Sequence, residues 1–161
     1  MTEIGEELEI RGYWLRSGNA TGADQAFAKG VERNAIIYLP KPDFEKEFQL
    51  LKPRHEYWLV SEDDFEWRDA NKSVNKFHPT PWKLSQFGFD CMVRNYYQVS
   101  GDNTLSKFII CWTPGGAQTG GTAQALRLAD HFGIHVFNMG NPLITKEHIL
   151  KTISFMELFE E

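Results

Sequence analysis

"TPGGAQTGGTAQALRLADHFGIHVF", residues 113–137, decides the fold of this chain. Ahead of it, "LSKFIICW" (105–112) is a continuous apolar run of strand length, as expected of a strand covered on both faces in a parallel sheet. Gly115, Gly116, Gly120 and Gly121 interrupt that run, and Ala125, Leu128, Ala129 and Phe132 then recur on one face of a helix. Gly133 supplies a stop, and "IHVFNM" reads as the next strand. Glycine is costly inside a fold unless the chain turns sharply or its backbone must approach something closely.

The same grammar appears nearer the start. "GYWLRSG" predicts a strand, "SGNATG" a glycine loop, and Ala23, Ala26, Phe27 and Gly30 the face of a helix. "AIIYLP" (35–40) is another apolar strand closed by proline. A helix over 2–11 is predicted from Thr2 as N-cap, Ile4 and Leu8 on one face, and Gly12 as the stop. Residues 41–83 mix prolines, aromatics and charges without a sustained period and read as an excursion from the sheet, carrying a helix capped by Ser61. Ser85 caps a further helix reaching Gly101 that carries Arg94 and Asn95, and Thr145 opens a terminal one. A single domain over 1–161 follows, with an α/β, Rossmann-like three-layer fold and a mainly parallel sheet.

Composition narrows the chemistry. With 17 basic and 22 acidic residues the net charge is −5, so the broad electrostatic pull toward nucleic acid is missing. A local patch of Arg11, Arg16, Lys41, Lys52 and Arg54 is the one basis for single-strand binding. Cys91 and Cys111 lack metal-ligand spacing and read as buried thiols, so no metal and no cofactor are expected. No leader pattern or apolar stretch of membrane-spanning length occurs, which predicts a cytoplasmic protein without a membrane partner.

In an open parallel sheet, ligands bind beyond the carboxyl ends of the strands, where loops enter helix N-termini. A helix N-terminus offers unpaired N–H groups and positive potential, and glycine lets an anion reach them. Gly120, Gly121 and Thr122 immediately precede a helix and form a candidate phosphate cradle, with Gln118 and Thr119 beside it. A plain strand-to-helix turn is the alternative, because neither a Walker lysine pattern nor GxGxxG is present.

"RSGNATGADQAF", "RNYYQVSG" and "TPGGAQTGGTAQALRLA" together resemble the SLOG superfamily, which joins the DNA-processing protein A family with the LOG nucleotide phosphoribohydrolases; small phage- and plasmid-borne DprA-like proteins are most alike. The likeness spans nearly the whole chain. It implies a Rossmann-like fold that binds a nucleotide or nucleotide-derived ligand. On it, Ser17, Gly18, Gly22 and Asp24 form one side of the pocket, Gly120, Gly121 and Thr122 the other, and Arg94, next to Asn95, lies near the phosphate or base. Hydrolytic relatives resemble PGGxGTxxE, and the glutamate of that pattern falls on Ala125 here. Relatives also open with a strand ahead of the first helix, whereas this chain starts with the helix. The expectation is therefore either a shortened opening segment or a fold without that strand and one pocket wall.

Three functions follow as expectations: a binding module for a nucleotide-derived ligand, an N-glycosidase using Asp24 or Glu56 in place of the lost glutamate, and a DprA-like single-strand binder. Arg94 suits a phosphate because guanidinium offers a fixed fork of donors, and Arg16 has a similar claim. Asp24 serves either the ribose or the helix dipole. His55 beside Glu56, and His78, are weaker acid–base candidates, since neighbours in sequence face different directions. Of the tryptophans, Trp58, Trp67 and Trp82 suit cores or interfaces, and Trp112, ending the strand that feeds the cradle, is the stacking candidate. The aromatic surface also suits a homodimer.

Overall fold

Residues 35–39, "AIIYL", form the middle strand of the larger sheet in the computed structural model, which describes residues 1–159. This strand, β2 (Ala35–Leu39), lies parallel to β1 (Leu15–Ser17) and β3 (Glu56–Leu59), with Leu15 opposite Ala35 and Ile37 opposite Tyr57. Alternation sends Ala35, Ile37 and Leu39 toward Val31, Phe44 and Tyr57, and Ile36 and Tyr38 toward the other face. Both faces are therefore covered, which is why the strand is apolar throughout rather than alternating.

Helices complete the layers. α1 (Thr2–Ile10), α2 (Ala23–Gly30) and α7 (Lys146–Glu157) join one core through Ile4, Phe27, Ile149 and Ile153. Each of these side chains withdraws apolar surface worth roughly 1.5–3 kcal/mol. α1 and α2 approach closely because Gly5 and Gly30 lack side chains: a Cβ on Gly30 would stand 1.9 Å from the Thr2 carbonyl oxygen. The opposite face carries α4 (Trp67–Phe77) and α5 (Gln86–Val99), joined through Ala70, Val74, Val93 and Tyr97, with α6 (Thr122–Phe132) packed beside them. α5 begins as expected, the Ser85 hydroxyl accepting from the Gly88 N–H at 3.1 Å. Thr145 caps α7 in the same way, accepting from the His148 N–H at 3.2 Å. Gly133 ends α6 in the left-handed region at φ 68°.

The architecture is α/β with mainly parallel strands, in keeping with a Rossmann-like arrangement. It departs from expectation in detail. Residues 41–83 return to the sheet as β3, after the short helix α3 (Lys46–Leu51); β3 was hard to see because Glu56, Trp58 and Leu59 are exposed on an outer strand. Ser61 does not cap α4. Its N–H instead donates to Asp64 Oδ2 at 2.9 Å in a turn that precedes the helix. α1 starts from Met1, without a side-chain cap, rather than from Thr2, whose hydroxyl reaches Ala26 O. After α5 a small antiparallel hairpin forms, β4 (Ser100–Gly101) with β5 (Thr104–Leu105), turning through Asp102 and Asn103 at φ 53° and 52°.

The second parallel piece is β6 (Phe108–Cys111) with β7 (His135–Asn138). Among the described residues β1 pairs only with β2, and β6 only with β7. The two pieces face one another across a cavity.

Candidate functional site

A cavity of about 1190 Å³ opens between β1 and β6 and is lined by both glycine-bearing loops. The first loop contributes Ser17, Ala20, Thr21, Gly22 and Asp24, the second Trp112, Gly121 and Thr122, and α5 contributes Arg94 and Asn95. Ala125 also lines it and has no group that could exchange a proton.

The first loop is braced from within. Asp24 Oδ2 accepts from the Gly18 and Ala20 N–H groups, each at 3.2 Å, and stands 3.4 Å from Arg94 Nη1. Asn19, at φ 64°, donates through Nδ2 to Phe44 O at 3.0 Å and to Glu45 O at 3.3 Å. Gly22 adopts φ 112° and ψ −126°, which no side-chain-bearing residue takes comfortably. Gly18 has a different reason to be glycine. A Cβ there would fall 0.9 Å from Arg94 Nη1, so the missing side chain is the seat of the guanidinium. Arg94 CZ also lies 5.9 Å from the centre of the Phe44 ring.

Arg94 is only 5% exposed, and a buried guanidinium requires hydrogen-bonding partners. Its one carboxylate contact is the long one to Asp24, and its Nε has no hydrogen-bond partner. The guanidinium also neighbours the Cys91 thiol, whose pKa burial pushes up against the pull of that charge. Ser17 Oγ, buried and lining the same cavity, lacks a partner too, as does Asn19 Oδ1 in the loop. Buried polar atoms without partners are rare enough that each calls for an explanation.

The second loop is tethered from outside. Gly115, Gly116 and Gly120 have φ of 61°, 75° and 67°. Asn138 fixes the loop's entrance, accepting from the Thr113 N–H at 3.1 Å and donating to Thr113 Oγ1 at 2.6 Å. At its far end Asn95 Nδ2 donates to Gly121 O at 2.9 Å. A Cβ on Gly120 or Gly121 would meet nothing within 4 Å, and α6 begins at Thr122 without a side-chain cap. Arg94 and Asn95, adjacent on α5, thus hold one loop each, and the two loops converge on the same space.

Other expected residues fall elsewhere. Arg16 lines the cavity, but its guanidinium is taken by Thr104, donating to its carbonyl at 2.8 Å and to its hydroxyl. Gly120 is not among the lining residues, although Gly121 is. Glu56 opens β3, two strands from the cavity, and is exposed. Its neighbour His55 is buried, with Nε2 2.8 Å from Val31 O, and burial pulls its pKa down. His78 Nδ1 accepts from the Thr80 N–H, a local turn contact. Trp112 is half-exposed at the cavity, Trp58 and Trp82 are exposed, and Trp67 packs in the core with α5.

Of the five cations of the suggested patch, Arg11 engages Glu7 and Glu157, Lys41 engages Asp43, and Lys52 engages Glu32. With Arg16 held by Thr104, four of the five are taken up by partners within the chain. Glu9, also in the lining, accepts from the N–H groups of Glu32, Arg33 and Asn34, each at 2.8 Å. Partial burial works against its charge, yet those three donors hold its carboxyl below the usual range. Cys111 is buried, which pushes its thiol up to about 11. Among the described residues no group of three or more His, Cys, Asp or Glu is placed to hold a metal ion, and no helix is long and apolar enough to cross a membrane.

Asn19 and Phe44 were not among the expected site residues. Asn19 carried a signal, since asparagine between two glycine-bearing turns suits a left-handed position. Phe44 carried none, because its place beside Arg94 depends on how the loop after β2 folds back. Comparison with protein-family models, curated proteins and solved structures finds no match.

Proposed function

We propose that this chain binds a nucleotide or nucleotide-derived ligand in the cavity between its glycine loops, in the manner of the SLOG proteins its motifs resemble. Arg94 carries the reading: a buried guanidinium, held by a glycine seat and one long carboxylate contact, lines the cavity with Nε unpaired. A phosphate oxygen supplies the acceptor that such a group lacks, and the fork of donors suits it. Ser17 Oγ beside it, and the open backbone around Gly121 and Thr122 on the facing wall, offer further donors. Trp112 presents an aromatic face at the same cavity on which a base can stack.

Binding without turnover fits the lining better than hydrolysis. Ala125 cannot transfer a proton, Glu56 is remote, and Asp24 is committed to two backbone amides and Arg94. The test is a thermal-shift panel of nucleoside mono- and diphosphates, NAD and ADP-ribose, each with the wild-type chain and Arg94→Ala. A ligand at a hundredfold excess over its Kd adds about 2.7 kcal/mol. Stabilisation of the wild type alone supports the reading, and no stabilisation by any ligand removes it. Chromatographic detection of free base, abolished in Asp24→Asn, would replace it with N-glycosidase activity.

A further inference from the structure

On the side away from the cavity, the larger sheet ends in an open edge. Among the described residues β3 pairs only with β2, and no residue of β3 lines the cavity. The Val60 N–H donates to Leu39 O on the β2 side. By strand alternation the Trp58 amide also faces β2, while the N–H and C=O groups of Tyr57 and Leu59 face outward. Strand edges are ordinarily guarded by lysine, proline or a covering element. β3 has neither residue, its one charge is Glu56 at the entrance, and Trp58 and Leu59 are 54% and 46% exposed.

The two flanks of this strand complement each other. Arg54 lies four positions before Trp58 and Glu62 four positions after it, and both are exposed. Neither makes an ion pair or a side-chain hydrogen bond among the described residues, and Arg54 is the one cation of the suggested basic patch left without a partner. Leu51 lies seven positions before Trp58 and Phe65 seven after it, and they are 72% and 90% exposed. The Tyr57 hydroxyl donates to Lys52 O at 3.1 Å and so ties the end of α3, with its exposed Leu50 and Leu51, beside the strand. Opposite charges, and exposed apolar groups, at equal spacing on either side of one residue are brought together by a two-fold axis through that residue.

We propose that this chain forms a homodimer by antiparallel pairing of β3 with β3 of a second copy, about a two-fold axis at Trp58. Tyr57 and Leu59 then exchange backbone hydrogen bonds with Leu59 and Tyr57 of the second copy, and Trp58 meets its equivalent in the closely spaced, non-hydrogen-bonded position. Antiparallel pairing runs the chain entering one strand beside the chain leaving the other. Arg54 therefore faces Glu62 of the second copy, twice over, and the leucines of α3 face Phe65. Two three-stranded pieces become one six-stranded sheet, with the cavity beyond β1 remote from the interface in both copies. This inference does not rest on nucleotide binding, and its test uses no ligand.

Sedimentation equilibrium of the wild-type chain from about 1 µM to about 500 µM shows a monomer–dimer equilibrium, the range that suits a small interface. Arg54→Glu or Glu62→Arg alone weakens association about fivefold or more, because like charges then oppose each other at both symmetric positions. The double reversal returns it to within about twofold of the wild type. Hydrogen exchange supplies a second measurement that needs no variant. The Tyr57 and Leu59 amides slow by about fivefold or more where the dimer prevails, while the Trp58 amide, bonded to β2 in both states, does not change. A wild-type chain that stays monomeric to the highest concentration overturns the proposal. So do single reversals without effect, a double reversal as weak as either single, or a dimer in which Tyr57 and Leu59 exchange as they do in the monomer.

Discussion

The two glycine-bearing loops serve one cavity by opposite means. The first, from Gly18 to Gly22, is cross-braced by Asp24, pinned to the 44–45 turn through Asn19, and closed by the buried Arg94. The second is held at its ends, by Asn138 at Thr113 and Asn95 at Gly121, with open space over Gly120 and Gly121 between. The first loop is crossed by side-chain bonds, whereas the second has side-chain tethers at its ends and short-range backbone turns between them, such as Gly116 N–H to Thr113 O and Thr119 N–H to Ala117 O, and so adapts more readily to a ligand. Glycine content alone does not separate them. In the first loop Gly18 accommodates a side chain of the protein itself, and in the second Gly121 leaves room for something else.

That contrast breaks or holds on substitutions in each loop. Arg94→Ala has the largest expected effect. It leaves Asp24 without its cation and empties the seat over Gly18, costing about 2–3 kcal/mol in urea unfolding and abolishing any anion-induced thermal shift. Gly18→Ala separates those two outcomes. The new Cβ meets only the far end of the Arg94 side chain and displaces the guanidinium while its stem stays packed, so anion binding is lost with a smaller loss of stability than in Arg94→Ala. Gly22→Ala is expected to cost about 1–2 kcal/mol by denaturant titration, because φ 112° strains any side-chain-bearing residue although nothing lies within 4 Å.

In the second loop the costs fall. Asn95→Ala removes one hydrogen bond to Gly121 and is expected to lower stability by about 1 kcal/mol. Gly121→Ala has φ −61° and free space, so its unfolding free energy changes by less than about 0.5 kcal/mol, while ligand affinity drops because a methyl group occupies the approach. A large loss of stability in Gly121→Ala, or none in Gly22→Ala, would erase the distinction between the loops.

The smallest effect lies outside both. His55 has its pKa lowered by burial, so it contributes stability that is fully present above its ordinary value of about 6.5. That contribution is lost as pH falls from there through the lowered folded value. His55→Gln should flatten the pH dependence of Tm in that window and leave both loops' ligand response unchanged.

Strands with both faces covered were legible as sequence. "AIIYL" carries its burial in composition and "FIIC" its strand, though only Cys111 of the latter is fully withdrawn, and Ser85, Thr145 and Gly133 mark helix ends through local hydrogen bonding or left-handed geometry. β3 was not legible, since its pairing with β2 depends on a distant partner while its exposed residues follow no apolar pattern. The hairpin after α5 is two residues a side, too short for a periodic signal.

The site divides along the same line. Glycine, serine and aspartate in the first loop, and glycines before α6 in the second, could be picked out from spacing, because a helix N-terminus is a local structure. Their roles could not. Whether Asp24 faces a ribose or its own loop, whether Gly18 makes way for a phosphate or for Arg94, and whether Arg16 is free or held by Thr104 are decided by contacts between residues up to 88 positions apart. Local sequence determines which segments become strands, turns and helix ends, because those depend on neighbours along the chain. Only tertiary packing decides which polar groups are already satisfied, and here it leaves Arg94 in want of an acceptor and an open slot between β1 and β6.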